Sequence, residues 1–153
     1  MDKLYDIESR FPEVQIVPWV FSENHNHKYP NSQFAMLKQV VTKNRGCNIL
    51  NFDPDEFLYL HNYQDNINNL LHRYSNFNLI KIKSVQCEPR VRGRPIKDLG
   101  TVDEEDNTVK WIHTTGNFKY KKFHVHWLLY RGKKIINLPR DECYFRHYKY
   151  RDV

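Results

Sequence analysis

Asp53-Pro54-Asp55-Glu56-Phe57 is the stretch whose residue types most clearly could do chemistry. Two carboxylates this close repel each other unless a cation or a basic group sits between them. Hard oxygen donors of this kind suit Mg2+ or Mn2+, bound together with substrate phosphates. The preceding run, Cys47-Asn48-Ile49-Leu50-Asn51-Phe52, is short and mostly apolar, which predicts a buried strand. The carboxylates then emerge at its C-terminal end, the edge where open α/β sheets bind ligands. Pro54 stiffens the turn and removes one backbone donor. On spacing alone, the same tripeptide also describes a solvated surface turn.

The second half of the chain holds the other reactive types. His124 and His126 lie two residues apart in Phe123-His124-Val125-His126-Trp127. On a strand they point the same way, a workable spacing for a metal or phosphate site. The spacing fits equally well two histidines bonded to solvent or backbone. His147-Tyr148-Lys149-Tyr150-Arg151 is a second cluster. Arg90-Val91-Arg92-Gly93-Arg94 sets three arginines around a glycine and reads as a phosphate clamp, an RNA contact or a solvated loop. Residues 1–76 carry 7 basic and 9 acidic side chains, whereas residues 77–153 carry 17 basic and 9 acidic. A basic half points to a polyanionic or phosphorylated partner, either nucleic acid or a nucleotide-sugar diphosphate. Cys47, Cys87 and Cys143 show no zinc spacing, and their odd number argues for reduced thiols rather than a disulfide framework.

The elements that must position these residues follow from periodicity. Leu4, Ile7 and Phe11 predict a helix leading into a strand over 14–20, followed by a polar loop at 22–30. Ser32 reads as an N-cap, with Phe34, Leu37 and Val41 marking an amphipathic helix to about Lys43 and Gly46 closing it. A second helix from Asp65 is marked by Ile67, Leu70, Leu71 and Tyr74. Strands are expected over 58–60, 79–85, 109–112, 123–130 and 135–136, and a long surface loop over 89–107. At 153 residues the chain is long enough for one domain with a real core. No stretch reaches the roughly 20 apolar residues needed to span a bilayer. Met1-Asp2-Lys3-Leu4 lacks the apolar core of a secretory leader, so the default compartment is cytoplasmic.

From Trp19 to Leu60 the sequence resembles glycosyltransferases of the family-92 type and their family-2-like relatives. The resemblance rests on Pro18-Trp19, the loop around His25 to Tyr29, the helix from Gln33, and Asn51-Phe52 followed by Asp53-Pro54-Asp55-Glu56-Phe57. Lys110-Trp111-Ile112, then His124 and His126, then His147-Tyr148-Lys149 continue it in the same order. The resemblance implies an α/β fold: an incomplete GT-A-like mixed sheet flanked by helices, with a β-rich C-terminal part. It implies one glycosyltransferase-like domain over 1–153 that lacks the N-terminal β-α-β nucleotide-binding units. It further implies hexosyl-type transfer from a nucleotide sugar to a glycan or other hydroxyl acceptor, with Mn2+ or Mg2+ at the acidic loop. Asp53 and Asp55 would hold the ion and the diphosphate, and His126 or His147 would complete the shell. Glu56, Lys110, His124, Lys149 and Arg151 would face substrate, Glu56 by orienting the loop and the last two by neutralising the diphosphate. Glu88 is a candidate general base and equally a plain exposed residue.

Two other classes compete. A nucleic-acid-binding module would use the basic half, with Trp111, Tyr120, Trp127 and Tyr148 as stacking surfaces. A metal-dependent phosphodiesterase or nuclease would use Asp53, Asp55 and the histidines, but needs more ligands than the spacing offers.

Overall fold

The computed structural model describes residues 9–12, 29–53, 55–61, 66–87, 101–124 and 126–148, with backbone alone at 29–32 and 101–107. The chain divides into two compact units, Met1–Ser32 and Gln33–Val153. In the first, Ser9 and Arg10 are helical, and the Arg10 guanidinium lies 5.8 Å from the centre of the Phe11 ring. Leu4, Ile7 and the strand expected over 14–20 lie outside the described residues.

The fold is mixed α/β. In chain order the described elements are α1 (Tyr29–Lys43), β1 (Asn48–Asn51), β2 (Glu56–Leu60), α2 (Ile67–Arg73), β3 (Leu79–Cys87), β4 (Thr101–Thr114), β5 (Tyr120–Phe123), β6 (Leu128–Tyr130), β7 (Ile135–Asn137) and β8 (Cys143–His147). A six-stranded sheet runs β1-β4-β3-β8-β2, with β7 also paired to β3. β4 is antiparallel to β3 and covers one edge of it. The other edge is shared: β7 pairs parallel at Leu79–Lys81, and β8 pairs parallel further along, at Ser84–Gln86. β5 and β6 form a separate two-stranded hairpin.

β3 is central and has buried apolar residues on both faces, Ile80 and Ile82 on one and Leu79 and Val85 on the other, although Lys83 is exposed. Ile80 and Ile82 join Leu60, Leu70, Tyr74, Ile112, Leu138, Cys143 and Phe145 in one core, roofed by α2. Leu79 joins Trp111, Leu128 and Tyr130 in a second core, where α1 contributes Leu37 and Val41. Burying side chains such as Leu70, Ile82 and Phe145 contributes about 1.5–3 kcal/mol each. Asn66 caps α2, its side chain accepting the Asn68 N–H at 2.9 Å. No described helix is long and apolar enough to cross a membrane.

Three sequence expectations are corrected. α1 starts at Tyr29, ahead of Ser32 and inside the expected polar loop. Pro30 is compatible with that start, because the first turn of a helix has no use for its missing N–H. Residues 101–107 belong to the 14-residue β4 rather than to a surface loop. Their charged sequence shows no apolar alternation, yet β3 supplies the hydrogen-bond ladder, with register shifts after Lys83 and Val85. The run 123–130 is not one strand but the end of β5, a turn, and β6. The alternating His-x-His pattern imitates a strand, while the His126 N–H actually folds back onto His124 Nδ1 at 3.1 Å. Gly46 does take the positive φ, 76°, in the turn that leaves α1.

A buried polar network ties the sheet to the hairpin. His113, fully buried, donates from Nδ1 to the Asn78 carbonyl at 2.6 Å and so accepts from the Tyr120 hydroxyl at Nε2, 2.8 Å away. The Tyr130 hydroxyl donates to Asn78 Oδ1 at 2.6 Å. Burial lowers the His113 pKa, partly offset by the Asn78 carbonyl. The unfolded chain therefore takes up a proton near 6.5 that the folded chain refuses. Stability is expected to fall as pH drops below that value, by at most about 1.4 kcal/mol per pH unit for one such group. Urea unfolding across that range should show a shallower acid-side slope in His113→Gln. A remainder is expected from His124, whose pKa is also lowered, by desolvation and then by the charge of His126.

Candidate functional site

The acidic loop joins β1 to β2, and two reciprocal bonds shape it. The Glu56 N–H donates to the Asp53 carbonyl at 3.0 Å, and the Asp53 N–H donates to Glu56 Oε2 at 2.9 Å. A third element reaches the same place. Lys110 on β4 lies opposite Ile82 on β3 and is fully buried. Its Nζ stands 2.6 Å from Asp53 Oδ2 and 2.9 Å from Glu56 Oε2. The Glu56 side chain is 1% exposed, and that of Asp53 is 41% exposed. Lys110 is thus a resident cation beneath the loop, facing two carboxylates rather than solvent.

β8 closes the site from the other side. Glu56 pairs with His147 across the β2–β8 ladder, and the Tyr148 N–H donates to the Asp55 carbonyl at 2.9 Å. His147 Nε2 is 3.4 Å from Asp55 Oδ2, while its Nδ1 lies 3.4 Å from Gln86 Nε2 on β3. Each aspartate therefore has its own basic neighbour: Lys110 for Asp53, His147 for Asp55.

The other histidines are placed differently. His126 sits in the β5–β6 turn, with Nδ1 3.1 Å from the Val109 carbonyl. A carbonyl only accepts, so Nδ1 carries a proton, and a metal would be met by Nε2. Val109 directly precedes Lys110, so His126 is tied to the strand that supplies the buried cation. The His124 ring stacks on Trp127, with centroids 4.9 Å apart, and contacts Phe34 at the same distance. Lys149, Arg151, Pro54, Glu88 and the arginines at 90–94 lie outside the described residues.

Among the described residues, no group of three or more His, Cys, Asp or Glu side chains is gathered to hold a metal ion. Asp55 and His147 are a pair of donor side chains and not such a group. Mg2+ typically takes one or two carboxylates and completes its octahedron with water and substrate phosphates. Adjacent ligands about 2.1 Å from such an ion are about 3 Å apart, close to the 3.4 Å between Asp55 Oδ2 and His147 Nε2.

Of the aromatic residues considered for stacking on nucleic acid, Trp111 is fully buried, Tyr148 is 6% exposed, and only Trp127 is substantially open, at 39%. Gln86, which contacts His147, was missed at the sequence level. No sequence signal marked it, because Lys81, Lys83 and Ser84 already make β3 partly polar. No protein-family model matches the chain, and no curated protein matches it.

Proposed function

We propose that this chain is a glycosyltransferase-like protein whose acidic loop receives the diphosphate of a nucleotide sugar for transfer to a hydroxyl acceptor. The observation that carries the reading is that Asp55 of the acidic loop meets His147 of β8, while Asp53 of the same loop is bonded to the buried Lys110. Asp55 and His147 would hold Mn2+ or Mg2+ with help from Asp53, and His126 is the further candidate. When bound, the ion would stabilise negative charge building on the departing diphosphate. Lys110 and Glu56 keep the loop in shape without touching substrate. Lys149 and Arg151, which follow His147 in sequence, would add positive charge next to the diphosphate.

Calorimetry with a panel of nucleotide sugars, with and without Mn2+, tests this. One member is expected to bind in the presence of the ion, and Asp55→Ala is expected to weaken that binding by at least about tenfold, the loss of one charge-assisted contact. Binding that ignores Mn2+, or that survives Asp55→Ala unchanged, would sink the reading.

A further inference from the structure

The β5–β6 hairpin has two unlike faces. Side chains alternate along its strands, so Tyr120, Phe123, Leu128 and Tyr130 turn inward and pack with Leu79, Trp111 and the α1 residues Leu37 and Val41. The outward side chains are exposed. Lys122 lies opposite Leu129, and the Arg131 N–H donates to the Lys119 carbonyl at 3.4 Å, which sets those two residues side by side as well. The register shift between Tyr120 and Lys122 leaves Lys121 exposed too. Trp127 precedes β6, and Lys133 and Lys134 follow it past Gly132, again exposed. The outward face thus carries one aliphatic and one indole side chain within a field of cations.

That charge is unopposed. Between Asp106 and Asp141 the sequence has no Asp or Glu. Among the described residues, none of Lys119, Lys121, Lys122, Arg131, Lys133 and Lys134 forms an ion pair. Arg45, close enough to act on the Tyr120 hydroxyl, has the same sign. The acidic residues of β4 run away from the face. The hairpin follows β4 from His113, bonded to Tyr120, to Val109, bonded to His126, and residues 103–106 continue beyond Val109. The inner contacts also hold the face in place. The Trp111 indole donates to the His124 carbonyl, and the Lys134 N–H donates to Asn78 Oδ1 at 2.8 Å. The cations therefore stand on an anchored two-stranded plate.

We propose that the outward face of the hairpin docks this chain on an anionic lipid membrane surface. Its cations complement the negative headgroups. Leu129 and Trp127 add what a purely electrostatic contact lacks, an aliphatic side chain for the acyl boundary and an indole for the headgroup layer. Nucleic acid suits the face less well. Leu129 cannot stack on a base, Tyr120 and Tyr130 face the core, and one side of the Trp127 ring already lies on His124. Five of the six cations are lysines, point charges without the fork that grips a phosphate bidentately. The face is also apart from the acidic loop. Lys110, under the loop, and Trp111, under the hairpin, are neighbours on β4 and point to opposite sides of the sheet. Docking therefore stands whether or not the loop transfers sugar.

Co-sedimentation of the full chain with vesicles tests it, using pure phosphatidylcholine and equal parts of phosphatidylcholine and phosphatidylserine. The chain is expected to pellet with the mixed vesicles and to stay in solution with the neutral ones. Lys121→Gln/Lys122→Gln is expected to weaken partitioning by about 25-fold, about fivefold for each lysine near an anionic surface. Lys121→Arg/Lys122→Arg is expected to bind like the parent. Leu129→Ser is expected to weaken partitioning by about fivefold, as for loss of a partly buried leucine. All three variants change exposed side chains, so their urea midpoints should match the parent's. The proposal is overturned if the mixed vesicles leave the chain in solution, or if the double glutamine variant or Leu129→Ser partitions as well as the parent. It is equally overturned if an oligouridylate at the protein's own concentration strips the chain from the vesicles, which would make the face an RNA surface.

Discussion

Lys110→Ala is expected to destabilise the second unit by about 3–5 kcal/mol, the usual cost of removing one partner from a buried ion pair. Domains are stable by only about 5–15 kcal/mol, so the variant should sit near the edge of folding. The reason lies in what stays behind. Glu56 is almost as buried as Lys110, and its carboxylate would keep the Asp53 N–H but lose its cation. Asp53 is less affected, since much of it already meets solvent. The double variant Lys110→Met/Glu56→Gln is expected to be more stable than Lys110→Met alone, because neutralising both partners removes the stranded charge. Urea unfolding reads both effects as shifts in midpoint at a constant m-value. If Lys110→Ala costs less than about 1 kcal/mol, the level of an exposed pair, the contact is not the internal cation described here.

That lysine shows where sequence reading stopped. Val109-Lys110-Trp111-Ile112 was legible as a strand, and a lysine in it fits an exposed position as readily as a substrate contact. Only the register, with Lys110 opposite Ile82 on the inner face and below the β1–β2 turn, shows that it points at Asp53 and Glu56. The helices at Leu37 and Val41 and at Leu70 were legible because their apolar spacing is the signal of burial itself. β4 over 101–107 was not, because its order comes from backbone pairing to β3, which leaves no mark on side-chain polarity.

The candidate site divides the same way. The acidic loop was legible locally, since its residues are contiguous and follow an apolar run. His147 reaches Asp55 because β8 lies between β3 and β2, although about ninety residues separate the two in sequence. Nothing in local spacing distinguishes it from His126, which bonds to the Val109 carbonyl instead.

Trp111→Ala is expected to cost about 3–5 kcal/mol, the range for truncating a fully buried aromatic residue. The indole packs with Leu37 and Val41 of α1, Leu79 of β3, and Leu128 and Tyr130 of the hairpin, so its removal opens the core where three elements meet. It also has one specific polar task. Its Nε1–H donates to the His124 carbonyl at 3.1 Å, fastening the β5–β6 turn to the sheet. Trp111→Phe retains much of the apolar volume but leaves that carbonyl unpaired, so a further loss of about 1 kcal/mol is assigned to the hydrogen bond. The two variants separate packing from anchoring. Trp111→Phe should move the His124 and His126 resonances while leaving those of Glu56 and His147 in place, because the turn loosens and the β2–β8 ladder does not. The Trp111→Ala unfolding midpoint should fall much further. A midpoint within about 0.5 kcal/mol of the parent, the usual result for a surface substitution, would instead mean that Trp111 is exposed. It would also return the residue to the set available for stacking on nucleic-acid bases.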